Sequence, residues 1–255
     1  MDSCRSKIYF AADAHLGNRY LADPKAAEKK LVRWLNDIAP QARAVYFMGD
    51  MFDYWFEYRY VVPKGFVRFL GKLAELSDGG VEIHFFIGNH DIWMFDYLPR
   101  EIGAVVHRGP EIVDLLGKRF FLAHGDEVGK RPLMFRALQA MFRNRICQVM
   151  YAAIHPRWTF ALAGWWSYSS RVSGMHGQTP DAQDRKTDAL VDFAKNRLKT
   201  QPDIDCFIFG HRHVMRDTAL NASSRLLIAG DWMQYFSYIE WDGEQLSLKQ
   251  TEHTV

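Results

Sequence analysis

Five short polar motifs in this 255-residue chain carry side chains of the types that bind metal ions. They supply carboxylates, one amide and several imidazoles, and this mixture suits Mn, Fe, Zn or other first-row ions better than calcium. A pair of such ions lowers the pKa of water and neutralises charge on a phosphoryl group during in-line displacement. The motifs therefore predict a phosphoester or pyrophosphate hydrolase. The seven side chains are Asp13, His15, Asp50, Asn89, His124, His211 and His213.

The spacing of these side chains assigns them to two ions that share one carboxylate. Asp13 and His15 are alternate residues after an apolar run, so they point to one side and hold the first ion together with His213. Asp50 bridges both ions because a carboxylate has two oxygens. A single Gly-Asp or His-Gly pair would be an ordinary strand end, whereas the ordered set predicts a dinuclear centre. The second ion is held by the remaining three side chains, Asn89, His124 and His211.

Each motif follows a short β-branched or aromatic run that predicts a buried strand. Helix patterns at residues 24–39 and 64–76 separate the first three runs, and this alternation indicates an α/β sheet with right-handed crossovers. Ligands of such sheets collect at the carboxyl ends of the strands, where residues far apart in sequence meet. A β-rich section closes the chain at residues 225–250. The runs before the motifs are residues 7–12, 44–48, 81–87, 119–123 and 206–209.

Residues 128–180 interrupt this pattern with two predicted helices, at 132–154 and 158–174. The segment has seven Lys or Arg, no Asp or Glu, and many aromatic residues. Its cations could pair with a diphosphate or an anionic membrane surface, and its apolar side chains could accept acyl chains. The alternative is that the aromatics only pack the insertion against the core. We predict a core of residues 1–127 and 181–255, with residues 128–180 as a cap over the active site.

Bulk composition excludes little beyond membrane-spanning and secreted classes. The net charge of +2 says little about partners, and three cysteines without metal-type spacing suit a reducing cytosol. No stretch approaches the roughly 20 apolar residues of a membrane-spanning helix. The chain also has no Walker loop, no Gly-x-Ser-x-Gly elbow and no dinucleotide fingerprint.

The motif order Asp-x-His, Gly-Asp-x-x-Asp, Gly-Asn-His, His and Gly-His-x-His resembles the calcineurin-like metallophosphoesterases over residues 7–241. Within that superfamily the chain is most similar to the UDP-2,3-diacylglucosamine diphosphatases of lipid A biosynthesis. The signs are the Asp-x-His-Leu start, one helical insertion between the His124 and His211 motifs, and the length. One departure is His90, the general superfamily residue, which stands where the best-studied members of this subfamily carry Arg.

The resemblance implies an α/β fold of the metallophosphoesterase sandwich type, in which central β-sheets are flanked by helices. It also implies a Mn²⁺-dependent enzyme with two divalent ions that splits UDP-2,3-diacylglucosamine, a UDP-linked glycolipid, into UMP and 2,3-diacylglucosamine 1-phosphate. Such an enzyme would work in the cytoplasm, attached peripherally to the cytoplasmic face of the inner membrane. No nucleic-acid partner is expected, and no obligate protein partner is evident.

Further site residues follow from their positions beside the predicted ligands. His90 could donate to a phosphoryl oxygen or to the leaving group, and Asp53 could hydrogen-bond His90 and favour its protonated form. The alternatives are a supporting structural role for His90 and a helix N-cap for Asp53. Asp91 and Asp126 could orient ligands or lie in solvated loops. The candidates for substrate contact are Arg131, Ser170, Arg171 and Arg212.

Two other functions remain open from the sequence. The basic, aromatic insertion could hold nucleic acid, which would make the protein a nuclease or another phosphodiesterase. Its aliphatic residues suit acyl chains better than bases. The other alternative is a non-catalytic scaffold with the same fold, but such relatives generally lose ligand residues, and all seven positions here carry competent side chains.

Overall fold

The computed structural model describes residues 5–18, 21, 23–128, 133–162 and 180–251. These ranges contain two β-sheets and their flanking helices, so the predicted α/β class is confirmed. No helix within them is long and apolar enough to cross a bilayer. The strands are β1 (Lys7–Ala11), β2 (Ala42–Phe47), β3 (Glu82–Phe86), β4 (Val105–His107), β5 (Glu111–Leu115), β6 (Lys118–Ala123), β7 (Cys206–Phe209), β8 (Met215–Ala219), β9 (Arg225–Ala229), β10 (Ser237–Trp241) and β11 (Leu246–Gln250).

The first sheet has the order β11-β10-β1-β2-β3-β4, and the second has the order β5-β6-β7-β9-β8. Strands β1 to β4 run parallel to one another, as do β6, β7 and β9. Antiparallel strands complete both sheets. Each sheet therefore contains a parallel block whose carboxyl ends lie at one edge.

The two sheets pack face to face because alternate residues of their strands are apolar on both sides. Phe10 of β1, Phe120 of β6 and Leu227 of β9 belong to one buried cluster between the sheets. The neighbouring residues Tyr9 and Ala11 point to the opposite face of β1 and join the helix-side core. Strands buried on both faces are typical of parallel sheets covered by helices.

Helices cover the outer face of each sheet. Helix α1 (Pro24–Ile38) begins where Asp23 accepts hydrogen bonds from the main-chain nitrogens of Lys25 and Ala26, both at 2.9 Å. Trp34 of α1 packs in the helix-side core of the first sheet. Leu190 lies in the apolar layer outside the second sheet. The helices are α1 (Pro24–Ile38), α2 (Val67–Asp78), α3 (Tyr97–Ile102), α4 (Leu133–Arg143), α5 (Arg145–Ala152) and α6 (Pro180–Leu198).

Two predicted helices have different bounds in the structure. Helix α2 begins at Val67 rather than residue 64, because Gly65 and Phe66 have positive φ angles of 109° and 59° that a helix cannot contain. The predicted helix at 132–154 is two helices, since Asn144 is extended and its side chain caps α5. Residues 156–162 are helical, and the rest of the predicted helix at 158–174 lies outside the described residues.

Helices α4 and α5 contact the core through aromatic residues. Trp93 of the core stacks on Tyr151 of α5 with ring centroids 5.2 Å apart, and its indole nitrogen donates to the carbonyl of Phe142 at 3.1 Å. The hydroxyl of Tyr54 lies 3.2 Å from that of Tyr151. The alternative offered for the insertion's aromatics, packing against the core, therefore holds for Phe142 and Tyr151.

A pair of histidines lies on β3 and β4, the last two strands at one edge of the first sheet, outside the five motifs. His84 Nδ1 of β3 is 3.0 Å from His107 Nε2 of β4, and each ring stacks on an aromatic neighbour, Tyr46 or Phe86. Burial lowers the pKa of His84 below 6.5, and the neighbouring His107 lowers it further. Burial also lowers the pKa of His107. Both rings are therefore disposed to stay neutral in the folded protein.

We expect this histidine pair to make the folded state less stable in mild acid. The unfolded chain takes up protons at the ordinary histidine pKa of 6.5, whereas the folded pair takes them up only at lower pH. The free energy of unfolding should therefore fall as the pH is lowered below 6.5 towards the folded pKa values. Urea unfolding between about pH 8 and pH 5 measures how the free energy of unfolding depends on pH. The same measurement on the variant His84→Phe/His107→Phe, which lacks both imidazoles, is the comparison. Equal pH slopes in the two proteins would contradict the expectation.

Candidate metal centre

The five motifs meet at one place because the carboxyl ends of both parallel blocks lie at the same side of the sandwich. From the first sheet, Asp13 and His15 follow β1, Asp50 follows β2, and Asn89 follows β3. From the second sheet, His124 follows β6 directly, and His211 and His213 follow β7. Residues 198 positions apart are thereby adjacent, as in the hydrogen bond from the main-chain nitrogen of His211 to Asp13 Oδ2 at 2.7 Å.

The main chain is strained at most of these residues. Five of the seven adopt positive φ, a region that side chains other than glycine rarely occupy and that Asp, Asn and His tolerate best. Such conformations persist where the surrounding structure imposes them, and they cluster at functional sites. The five are Asp13 (56°), His15 (43°), Asp50 (53°), His211 (66°) and His213 (51°).

Three glycines of the motifs are required by close approach, and the first is Gly49, where a Cβ would lie 2.4 Å from His124 Nδ1. A Cβ on Gly88 would lie 2.1 Å from Asp50 Oδ1 and 2.5 Å from the Asp50 nitrogen. A Cβ on Gly210 would lie 2.8 Å from Asp13 Oδ2. The glycines of the Gly-Asn-His and Gly-His-x-His motifs therefore leave room for the carboxylates of other motifs.

One group of donor atoms comes from Asp13, His15 and His213, all within 4.8 Å of one another. Asp13 Oδ1 lies 3.6 Å from His213 Nε2 and 3.9 Å from His15 Nε2. This oxygen is buried and has no hydrogen-bond donor among the described residues. A buried carboxylate oxygen surrounded by imidazole nitrogens fits a cation in their midst, because isolated buried charge is otherwise costly.

A second group comes from Asp50, His124 and His211, again within 4.8 Å of one another. Asp50 Oδ2 is 3.3 Å from His124 Nε2 and 3.9 Å from His15 Nε2, so this carboxylate lies between the two groups. A carboxylate shared by two ions must lie between their other ligands, as Asp50 does here. The Asn89 side chain is exposed, and its neighbour His90 donates its main-chain N–H to Asp50 Oδ1 at 2.8 Å.

Three imidazoles of the two groups have their Nδ1 atoms near oxygens outside the cluster. His124 Nδ1 is 2.8 Å from the carbonyl of Met48, and His213 Nδ1 is 3.3 Å from Asp231 Oδ2. His15 Nδ1 is 3.5 Å from Asp53 Oδ1. When Nδ1 carries the proton, Nε2 presents its lone pair, which is the arrangement found in metal-binding histidines.

Burial and mutual charge shift the pKa values of the cluster in opposite directions. Burial raises the pKa of Asp13 to about 6. Burial also opposes ionisation of Asp50, but His124 and His90 outweigh it and hold the Asp50 pKa well below its usual range. Burial and the neighbouring His124 hold the pKa of His211 well below its usual value, so this ring is neutral. Burial opposes protonation of His124 and His213, but the carboxylates of Asp50 and Asp13 outweigh it and raise the pKa of both rings. A buried set of carboxylate and imidazole donors with these opposing shifts fits two divalent cations, whose charge would take the place of the protons.

Asp91 fixes the turn that carries Asp50. Its Oδ1 accepts the N–H of Gly88 at 2.8 Å, and its Oδ2 accepts the N–H of Met51 at 2.8 Å and that of Phe52 at 3.3 Å. The residue has no exposed surface, so the alternative of a solvated loop is wrong for Asp91.

Asp126 is also buried, and its Oδ2 accepts a hydrogen bond from Gln139 of α4 at 2.8 Å. The solvated-loop alternative is therefore wrong for Asp126 as well. Through this bond the second residue after His124 connects the site to the segment predicted as a cap.

The contact between Asp53 and His90 is made by a different atom than the sequence suggests. His90 Nδ1 lies 3.0 Å from the main-chain carbonyl of Asp53, whereas the Asp53 carboxylate is 4.0 Å away and closer to His15. No helix follows Asp53 directly, because α2 begins at Val67, so the helix-cap alternative is wrong. His90 packs edge-on against His15 with ring centroids 4.7 Å apart.

The predicted substrate contacts are only partly visible. Arg212 is partly buried between two ligand candidates of the same loop. Arg131, Ser170 and Arg171 lie outside the described residues.

Comparisons with known proteins identify the family. The calcineurin-like phosphoesterase family model matches residues 6–215. The chain is 52% identical over 258 residues to a UDP-2,3-diacylglucosamine hydrolase of Porphyromonas gingivalis, covering 97% of this chain and 98% of that protein. It is 26% identical to a protein of the same name from Nitrosococcus oceani, covering 88% and 86%. A solved phosphoesterase of E. coli, Yfce, is 15% identical, with a TM-score of 0.46 and coverage of 96% and 92%.

The chain therefore belongs to the calcineurin-like phosphoesterase family. The resemblance inferred from the motif order is confirmed. Its closer similarity to proteins named UDP-2,3-diacylglucosamine hydrolase is confirmed as well.

Proposed function

We propose that this protein hydrolyses the pyrophosphate bond of UDP-2,3-diacylglucosamine and releases UMP and 2,3-diacylglucosamine 1-phosphate. The observation that carries the proposal is the 52% identity, over nearly the whole of both chains, with a protein named for hydrolysis of this substrate. The clustered carboxylates and imidazoles support it because diphosphate cleavage is chemistry that paired divalent cations promote.

The seven predicted ligands form the proposed dinuclear centre. Asp13, His15 and His213 hold one ion, and Asp50 is shared. Divalent ions supply charge neutralisation and a nucleophile of lowered pKa when bound. We propose Mn²⁺, which the mixture of oxygen and imidazole donors accommodates. The other ion is held by the remaining three ligands, Asn89, His124 and His211.

The residues around this centre are proposed to orient the metal ligands, to hold a proton or to contact the substrate. His90 remains the catalytic candidate because it touches both the Asp50 turn and the His15 ring. The Asp53 carbonyl fixes His90 Nδ1, and the Asp53 carboxylate supports His15. Arg212 is proposed to contact a phosphate. The remaining substrate contacts are proposed for Arg131, Ser170 and Arg171.

Residues 128–180 are proposed as a cap that receives the acyl chains and contacts the membrane, with residues 1–127 and 181–255 as the core. Its described part carries large apolar side chains that are mostly exposed, which soluble surfaces rarely collect in one segment. Arginines at positions 145 and 157 are exposed among them. We propose that this surface contacts the cytoplasmic face of the inner membrane. The apolar residues are Leu133, Met134, Ile146, Val149, Met150, Trp158 and Leu162.

The proposed reaction is tested by mass spectrometry of products from the purified protein with Mn²⁺. UDP-2,3-diacylglucosamine should yield UMP and 2,3-diacylglucosamine 1-phosphate, while single-stranded DNA and cyclic nucleotides should remain intact. Rapid DNA cleavage with an inert glycolipid would establish the nuclease alternative. Failure to cleave any phosphoester with Mn²⁺ bound would establish the scaffold alternative.

Membrane association predicts a charge-dependent affinity for anionic vesicles. The variant Arg145→Gln/Arg157→Gln should bind phosphatidylglycerol-containing vesicles about 30-fold more weakly at low salt, since each basic residue near the surface contributes about 1 kcal/mol. The measurement is flotation of the protein with the vesicles. The matched control is Arg33→Gln/Arg43→Gln, which removes the same charge from exposed positions on α1 and the amino end of β2. Equal binding by both variants would count against the cap as the membrane contact.

A further inference from the structure

Asp231 lies in the loop after β9, the neighbour of β7 in the second sheet. Its Oδ1 accepts hydrogen bonds from the main-chain nitrogens of Met233, Gln234 and Tyr235, at 3.1, 2.7 and 3.0 Å. Its Oδ2 lies 3.3 Å from His213 Nδ1. The two oxygens therefore have different partners: one holds the turn, and the other faces the imidazole.

The His213 ring is more exposed than those of His15 and His124, so it has more need of a partner that fixes its orientation. Its side chain is 34% exposed, compared with 3% for His15 and 0% for His124. The His213 ring has one face stacked on His15, with centroids 5.2 Å apart, so rotation about its side-chain bonds is less restricted.

The same loop also holds the main chain of another ligand candidate. The N–H of Trp232 donates to the carbonyl of Asp13 at 3.2 Å, and the N–H of Ser237 donates to the carbonyl of Asp231 at 3.2 Å. Gly230 precedes Asp231 with a φ of 78°, and a Cβ there would lie 2.0 Å from Ser237 Oγ. The loop is therefore tightly packed, and the Asp231 carboxylate is held by the structure around it.

We propose that Asp231 is a positioning residue for the first ion: its Oδ2 accepts the Nδ1 proton of His213 and so directs the Nε2 lone pair towards Asp13 and His15. A carboxylate that accepts the distal proton of a metal-binding imidazole fixes both its tautomer and its orientation. The inference rests on the proposed two-ion centre, but it is independent of the proposed substrate. It assigns a role in ion binding to a residue outside the five motifs.

The variant Asp231→Asn separates the contact of Asp231 with His213 from its hydrogen bonds to the turn. The three N–H groups of the turn need an acceptor, so the amide oxygen of the substituted side chain is held where Oδ1 of Asp231 lies. The NH₂ group of the amide then faces His213 Nδ1 and donates to it. That selects the tautomer with the proton on Nε2, which cannot bind a cation.

The experiment is a titration of the metal-free protein with Mn²⁺, followed by electron paramagnetic resonance of the free ion. We expect wild type to bind two ions and Asp231→Asn to bind one of them about 10- to 100-fold more weakly, with the other affinity unchanged. In the His213→Ala background, adding Asp231→Asn should cause no further weakening, since the two residues act through one ligand. Unfolding in EDTA verifies that each variant is folded.

The control is Asp242→Asn, at a residue whose Oδ1 also caps a turn, through the N–H groups of Glu244 and Gln245, far from the site in the β10–β11 connection. It should bind both ions like wild type. If Asp231→Asn also binds like wild type, or weakens both ions equally, the positioning role is overturned while the dinuclear centre stands. If wild type itself binds fewer than two ions, the proposed centre fails.

Discussion

Asp50→Asn is expected to reduce the stoichiometry of tightly bound divalent ions from two to one and to lower turnover by about 10³-fold or more. The amide keeps the shape of the carboxylate and one oxygen, so it still accepts the N–H of His90. It no longer has an oxygen at the position of Oδ2, which lies 3.3 Å from His124 Nε2 and 3.9 Å from His15 Nε2 and so faces both groups. Loss of one ion's electrostatic contribution costs several kcal/mol in the transition state.

Metal content after gel filtration and the rate of UMP release are the two measurements. Asp217→Asn is the matched control, because it makes the same substitution at a partly exposed ion pair with Arg225 between β8 and β9. It should leave both quantities unchanged. An Asp50→Asn protein that keeps two ions and normal turnover would remove Asp50 from the role of shared ligand.

Gly88→Ala is expected to have the second-largest effect, although it adds a single methyl group. The new Cβ would meet the side chain and the main-chain nitrogen of Asp50 at 2.1 and 2.5 Å, so the turn carrying the ligand must move. Overpacking of this kind costs about 1–3 kcal/mol of stability. A displacement of about 1 Å in the position of a catalytic group lowers turnover by about 10²-fold.

Urea unfolding and the rate of product release test this pair of effects. Gly71→Ala is the control, because Gly71 lies exposed in α2 and an added Cβ there has no neighbour within 4 Å. That change should raise stability by up to about 1 kcal/mol, since alanine is the better helix former, and leave turnover unaltered. Unchanged turnover in Gly88→Ala would mean that the turn yields without moving Asp50.

Several features of the site follow from local sequence alone. The apolar runs place the strands within a few residues of their observed bounds, because alternation and β-branching are local signals. The candidate ligands come directly after the strands in the sequence. They are expected to converge because parallel strands present their carboxyl ends at one edge of the sheet. The break at Asn144 is also a local signal, an N-cap residue inside a long apolar pattern, which the prediction of one continuous helix overlooked.

Other features depend on contacts between segments that no local pattern encodes. Asp91 reaches the turn of Asp50 from 41 positions away, and Asp231 reaches His213 across two strands of a sheet. The partner of His90 is the carbonyl of Asp53, at 3.0 Å, rather than its carboxylate, at 4.0 Å, and so small a difference is set by packing.

The sequence by itself determined the fold class, the reaction class and the donor types, because each of these follows from residue identity and short-range periodicity. The tertiary structure alone decided which atoms orient each imidazole and why five of the ligand candidates have positive φ. These are properties of distance and direction, and they arise only when the loops of two sheets are packed against each other.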